Sequence, residues 1–124
     1  MNYLTAVQHA QRVYVNHLAY GREALVNEAV ALGEWGVWSK RQVAAFTGLR
    51  PALVNDLITK KDRTGGKFNP AALPAVVAVC RMVARDEMDA TLISAALRSG
   101  CSSVMLSRLT GAPQSTLSRW GRKA

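Results

Sequence analysis

Residues 103–120 repeat a segment that lies 63 positions earlier in the chain, at residues 40–57. Aligned without a gap, the two segments keep apolar residues opposite apolar residues and small residues opposite small ones. The matched pairs are Val43 with Leu106, Phe46 with Leu109, Thr47 with Thr110, Gly48 with Gly111, Val54 with Leu117, and Leu57 with Trp120. Because glycine readily adopts the positive φ at which a helix stops and the chain turns, each copy predicts two short helices joined by a turn.

In both copies the apolar positions would meet between two short crossed helices, which is the pattern of a helix-turn-helix. The predicted segments are residues 40–59 and 103–120. The outward face of each second helix would then present side chains that can contact base edges in a DNA major groove. For one copy taken alone, the alternative is an ordinary helical hairpin with a polar exposed face. The predicted base-reading residues are Arg50, Ala52, Asn55, Gln114, Ser115, Ser118 and Arg119.

No β-strand alternation is present in the sequence, and helix signals mark the rest of the chain. Residues 4–34 predict one helix bent at Gly21 or two helices, and residues 71–86 predict a buried connecting helix. The expected fold is all-α, with two small helix-turn-helix modules joined by a basic linker and this connecting helix. The expected domains are residues 1–66, with an N-terminal helical extension and the first motif, and residues 67–124, with the second.

Capping residues define where several of these helices should begin. Ser39, followed three residues later by Gln42, predicts a capping box at the start of the first motif. Pro51 suits the first turn of the second helix of that motif, where a missing N–H is tolerated. Asn69 and Asp89 predict the starts of two further helices.

The positive charge is concentrated in the two motifs. The chain has a formal net charge of +8, and residues 39–67 carry 7 basic and 2 acidic residues, while residues 101–124 carry 4 basic residues and no acidic one. This distribution is typical of two phosphate-facing surfaces. The basic loop at 60–67 either follows phosphates or enters the minor groove through Arg63. The predicted phosphate-contacting residues are Ser39, Lys40, Arg41, Lys60, Lys61, Arg63, Lys67, Ser103, Arg108, Arg122 and Lys123.

The sequence offers no convergent set of catalytic or metal-binding residues. His9 and His17 are too far apart for a metal pair on one helical turn, and Cys80 and Cys101 belong to no Cys-x-x-Cys cluster. We therefore expect no enzyme activity, metal, cofactor or small-molecule substrate. The longest apolar stretch, residues 71–80, is too short to span a bilayer, so we expect no membrane partner and a cytoplasmic location.

Two different motifs in one short chain predict a protein that binds double-stranded DNA as a monomer and reads an asymmetric site. A homodimer formed through residues 4–34 is the alternative for the assembly. For the function, the alternative is a phage DNA packaging or recombination accessory protein that binds DNA with one motif and oligomerises through the rest.

With an N-terminal helix-turn-helix, a short basic connector and a second helical DNA-binding module, the chain over residues 39–122 resembles the immunity repressors of temperate mycobacteriophages. The resemblance implies a lysogeny repressor that binds asymmetric operator and stoperator sites and confers superinfection immunity. It also implies a location in the cytoplasm of the host bacterium, in association with the nucleoid. It extends to the recognition positions, which are here Arg50, Ala52, Asn55, Gln114, Ser115 and Arg119.

Overall fold

The computed structural model describes residues 2–61 and 66–123. The prediction of an all-α fold is confirmed, because these residues form eight α-helices and two short 3-10 helices and contain no β-strand. None of the described helices is both long and apolar enough to cross a membrane. The α-helices are α1 (Leu4–Asn16), α2 (Arg22–Glu34), α3 (Lys40–Thr47), α4 (Pro51–Leu57), α5 (Leu73–Ala84), α6 (Ala90–Arg98), α7 (Ser103–Thr110) and α8 (Gln114–Gly121).

The chain divides into two compact units, each built around one of the repeated segments. The first unit comprises residues 9–64 and contains most of α1 together with α2, α3 and α4. The second unit comprises residues 1–8 and 65–124 and contains the start of α1 together with α5 to α8. Residues 1–8, which the sequence grouped with the first motif, therefore cluster with the second.

In the first unit, α3 and α4 form the predicted pair of helices, and α2 packs against both. The capping box is confirmed: Ser39 Oγ accepts from the Gln42 backbone N–H at 3.1 Å, and the Ser39 N–H donates to Gln42 Oε1 at 2.9 Å. Phe46 and Val54 are fully buried, and the Trp38 ring meets the Phe46 ring edge-on at 4.9 Å between centroids. These contacts form the core of the first motif.

The two turns share one construction. Gly48 and Gly111 end α3 and α7 in the left-handed conformation, with φ of 74° and 83°. In each turn the preceding threonine donates its hydroxyl to a carbonyl four residues earlier and accepts from a backbone N–H two residues later. The distances are 2.9 and 3.3 Å for Thr47 with Val43 and Leu49, and 2.7 and 3.2 Å for Thr110 with Leu106 and Ala112.

Replacing Thr110 by valine keeps the shape of the side chain and removes both hydrogen bonds of its hydroxyl. Because Thr110 and Ala112 are buried, the Ala112 N–H loses its partner out of reach of bulk water. We expect the free energy of unfolding to fall by about 1–3 kcal/mol, measured by urea denaturation. Thr5→Val, at an exposed position of the same unit, is the control and should change stability by less than about 0.5 kcal/mol. Equal losses in the two variants would refute this account of the turn.

In the second unit, α5 packs against α6 and α7, and α8 packs against α6 and α7. The predicted caps are confirmed, because Asn69 Oδ1 accepts from the Ala71 N–H and Asp89 Oδ1 accepts from the Thr91 N–H. The first residues of the chain bond to this unit as well. The Tyr3 N–H donates to the carbonyl of Leu109 at 2.7 Å, at the end of α7, and Asn2 Nδ2 donates to the carbonyl of Cys80 at 2.8 Å.

The N-terminal run forms two helices, which is one of its two predicted arrangements, since α1 ends before a 3-10 turn and α2 begins after Gly21. Two other helix boundaries differ from those predicted. Helix α4 stops at Leu57, two residues short of the predicted end, because Ile58 is extended. The connecting helix starts as a 3-10 turn at Pro70–Ala72 and ends at Ala84, shortly before Asp86 takes a positive φ of 60°.

The structural repeat is longer than the sequence repeat, because it includes the helix before each motif. We call α2 and α6 the support helices. A Cβ on Gly33 of α2 would lie 2.9 Å from Ile58 Cδ1, and a Cβ on Gly121 of α8 would lie 2.6 Å from Leu97 Cδ1 of α6. Ile58 and Gly121 occupy matching positions, so the same contact is made in both units with the large and small partners exchanged. Each unit therefore contains a three-helix module.

Candidate nucleic-acid interface

The predicted base-reading residues lie on α4 and α8 or at the residue that precedes α4. Val54 and Leu117 fix the orientation of these helices, since both are fully buried in the module core. Ser118 is half-buried, whereas the remaining predicted readers are exposed. Each second helix thus buries one face and presents the other to solvent. The exposed readers are Arg50, Ala52 and Asn55 in the first unit, and Gln114, Ser115 and Arg119 in the second.

The side-chain amide of Asn55 is oriented by Lys40, the first residue of α3. Lys40 Nζ donates to Asn55 Oδ1 at 3.1 Å. Because an ammonium group can only donate, the oxygen of the amide must face Lys40, and the NH₂ group is the other end. The structure thus brings together a residue predicted to contact phosphate and one predicted to read a base.

The second module has a related contact at the matching position. Ser103 begins α7 as Lys40 begins α3, and Gln114 Nε2 lies 3.1 Å from Ser103 Oγ. A hydroxyl both donates and accepts, so this contact positions the Gln114 side chain without fixing which end of its amide faces Ser103. In each motif, the first residue of the first helix therefore contacts an amide side chain of the second helix.

Most of the basic residues predicted to contact phosphate are exposed. Arg108 is half-buried instead, and its Nη1 lies 3.3 Å from Met105 Sδ. The backbone carbonyl of Lys67 accepts from the Ser102 N–H at 2.9 Å, which places Lys67 beside the start of α7. Arg63, the predicted minor-groove residue, lies outside the described residues. The exposed members are Arg41, Lys60, Lys61, Lys67, Arg122 and Lys123, while Ser39, Lys40 and Ser103 are half-buried.

Sequence reasoning missed two residues beside the second motif. Ser94 and Arg98 of α6 line a cleft together with Ser103, Ser118 and Arg122. Nothing in the sequence repeat pointed to them, since the repeat recognisable in sequence begins only after the support helix. The signal that could have found Arg98 is its position in the last turn of a helix directly before a motif.

The contacts of His9 and the burial of Cys80 and Cys101 are consistent with structural roles for these residues. Trp35 Nε1 donates to His9 Nδ1 at 2.9 Å, and His9 Nε2 lies 2.6 Å from Glu28 Oε2. Because the indole N–H only donates, Nδ1 of His9 is the acceptor and Nε2 carries the proton shared with Glu28.

Burial raises the pKa of the Cys80 and Cys101 thiols to about 12, so both are protonated at neutral pH. No metal-ligand cluster of His, Cys, Asp or Glu occurs within residues 2–61 and 66–123.

Comparison of the chain with protein-family models, with curated proteins and with solved structures gave no match. Function is therefore inferred from the duplicated module, its exposed polar helices and the distribution of basic side chains.

Proposed function

We propose that the chain is a sequence-specific transcriptional repressor that binds double-stranded DNA through α4 and α8. The observation that carries this proposal is the duplication of a three-helix module in which the second helix buries Val54 or Leu117 and exposes polar side chains opposite. A helix of this kind fits the major groove, where side chains reach the base edges. The concentration of positive charge in the same two segments supports a polyanionic partner.

The bound site is asymmetric, because the two exposed faces differ in chemistry. Helix α4 offers Asn55 with Arg50 at its start, and α8 offers Gln114 and Arg119. Arginine pairs favourably with guanine, and asparagine and glutamine pair favourably with adenine. Two different sets of side chains require two different half-sites, so the target has no two-fold symmetry.

The resemblance to mycobacteriophage immunity repressors adds the biological role to this proposal. A repressor of that type binds asymmetric operator DNA and silences phage promoters. We propose that this chain does so in the bacterial cytoplasm as a monomer, since a single chain supplies both recognition helices and an asymmetric site needs no partner subunit.

Selection of bound duplexes from a random DNA pool, followed by footprinting, tests the proposal. We expect one enriched sequence without two-fold symmetry and, by light scattering at DNA-binding concentrations, the mass of a single chain. A palindromic footprint would overturn the reading of one site by two different helices. A ring or higher oligomer would instead support the packaging or recombination accessory function.

Single substitutions in α4, in α8 and at Lys60, which follows α4, separate base readers from phosphate contacts. We expect Asn55→Ala and Arg119→Ala each to weaken binding to the selected site by about 1–3 kcal/mol, with smaller losses on random DNA. Lys60→Ala should weaken binding to both DNAs by the same factor, because phosphates carry no sequence information. Binding isotherms on the two DNAs measure these effects. Equal losses on selected and random DNA for Arg119→Ala would exclude it as a base reader.

A further inference from the structure

The cleft beside the second motif is formed by three helices of one module. It lies between the support helix α6, the first turn of α7 and the end of α8, and its volume is about 450 Å³. Part of its lining is made of hydroxyl and guanidinium groups, contributed by Ser94, Arg98, Ser102, Ser103, Ser118 and Arg122.

The chemistry of this lining suits an anion. Arg98 and Arg122 are exposed, and none of the described residues that line the cleft is acidic. Ser94 is only 5% exposed and lines the cleft. The first turn of α7 adds the positive end of the helix dipole. One guanidinium group can donate two hydrogen bonds to the oxygens of a phosphate group. Two arginines at one cleft can therefore hold a phosphate group from two sides.

The first unit has a cleft at the matching place. That cleft has a volume of about 210 Å³ and is lined by Lys40, Lys60 and Lys61. Three lining positions correspond in the sequence alignment, and all three differ in residue type: Trp38 with Cys101, Lys40 with Ser103, and Ile58 with Gly121. The two modules thus share a basic cleft although its residues have changed, which indicates that positive charge at this place serves a common ligand.

We propose that the cleft of the second unit binds a phosphate group of the DNA backbone. Arg98 and Arg122 hold its non-bridging oxygens, and the hydroxyls of Ser94 and Ser118 donate to it. Ser118 is then a phosphate contact and not a base reader, and Arg98 joins the interface. The identity of the ligand as DNA rests on the proposed function, whereas binding of phosphate by the cleft does not.

Titration of the full chain with inorganic phosphate, followed by backbone amide NMR shifts, tests the cleft without DNA. We expect saturable shifts at Ser102, Ser103 and neighbouring amides in the unmodified chain, and at least fivefold weaker binding in Arg98→Gln. Arg85→Gln, which makes the same charge change at an exposed position of the same unit, is the matched control and should bind as the unmodified chain does. Equal affinity in Arg98→Gln and Arg85→Gln would overturn the site.

A second measurement identifies the source of the phosphate. The slope of log affinity against log salt is negative. On random duplex DNA, Arg98→Gln should reduce the magnitude of this slope by about one, while Arg85→Gln should leave it unchanged. Loss of inorganic phosphate binding with an unchanged salt slope would assign the cleft to a small phosphate-containing molecule and overturn the backbone assignment. If the unmodified chain bound no duplex, the proposed function would fail, and the phosphate titration would still decide the cleft.

Discussion

The double substitution Asn55→Ala and Arg119→Ala is expected to weaken binding to the selected DNA site by about 2–6 kcal/mol, which is roughly 30-fold to more than 10⁴-fold in affinity. The two residues lie on the second helices of different units, so their losses should add. Competition binding against the unmodified chain, at one fixed salt concentration, measures the combined effect.

Random duplex DNA provides the control for this variant, because phosphate contacts elsewhere are retained. We expect the ratio of selected to random affinity to fall by nearly the full factor measured on the selected site. If the double variant bound the selected site no more weakly than Arg119→Ala does, Asn55 would not contribute to base recognition. A ratio that stayed constant would show that both side chains act on the backbone.

Replacing Phe46 by alanine is expected to lower the free energy of unfolding of the first unit by about 3–5 kcal/mol. The ring is fully buried between α3 and its neighbours, and it packs edge-on against Trp38. Truncation removes buried apolar surface and leaves a cavity beside that indole. Hydrogen exchange at the backbone amides of the first unit, together with urea denaturation, measures the loss of stability.

Leu18→Ala is the matched control for Phe46→Ala in the same unit. Leu18 is 90% exposed, so its truncation removes almost no buried surface and should change stability by less than about 0.5 kcal/mol. If Leu18→Ala destabilised the unit as much as Phe46→Ala did, the described core would not be the source of its stability.

Local features of the fold were predictable because short stretches of sequence determine them. The turn glycines Gly48 and Gly111, the capping box at Ser39 and the buried positions Val54 and Leu117 depend on residues within a few positions of each other. Binary patterning and capping rules therefore located both motifs without knowledge of the rest of the chain.

Features that join distant segments could not be predicted in this way. The bonds of Asn2 and Tyr3 to the second unit connect residues far apart in sequence, and no local pattern announces them. The cleft around Arg98 forms only when α6, α7 and α8 pack together, so no single stretch of the sequence reveals it. The support helices fall out of a gapless alignment because five residues separate α2 from α3 and only four separate α6 from α7. Their contacts also reverse in size, since Gly33 of α2 faces Ile58 whereas Leu97 of α6 faces Gly121.

That reversal has a consequence for exchange between the two copies. A chimera with α6 placed on α3 and α4 would set Leu97 against Ile58, which forces two large side chains into space built for one. The reciprocal chimera, with α2 placed on α7 and α8, would set Gly33 against Gly121 and leave a void. Exchange of a support helix between the two modules is therefore expected to give a poorly packed product.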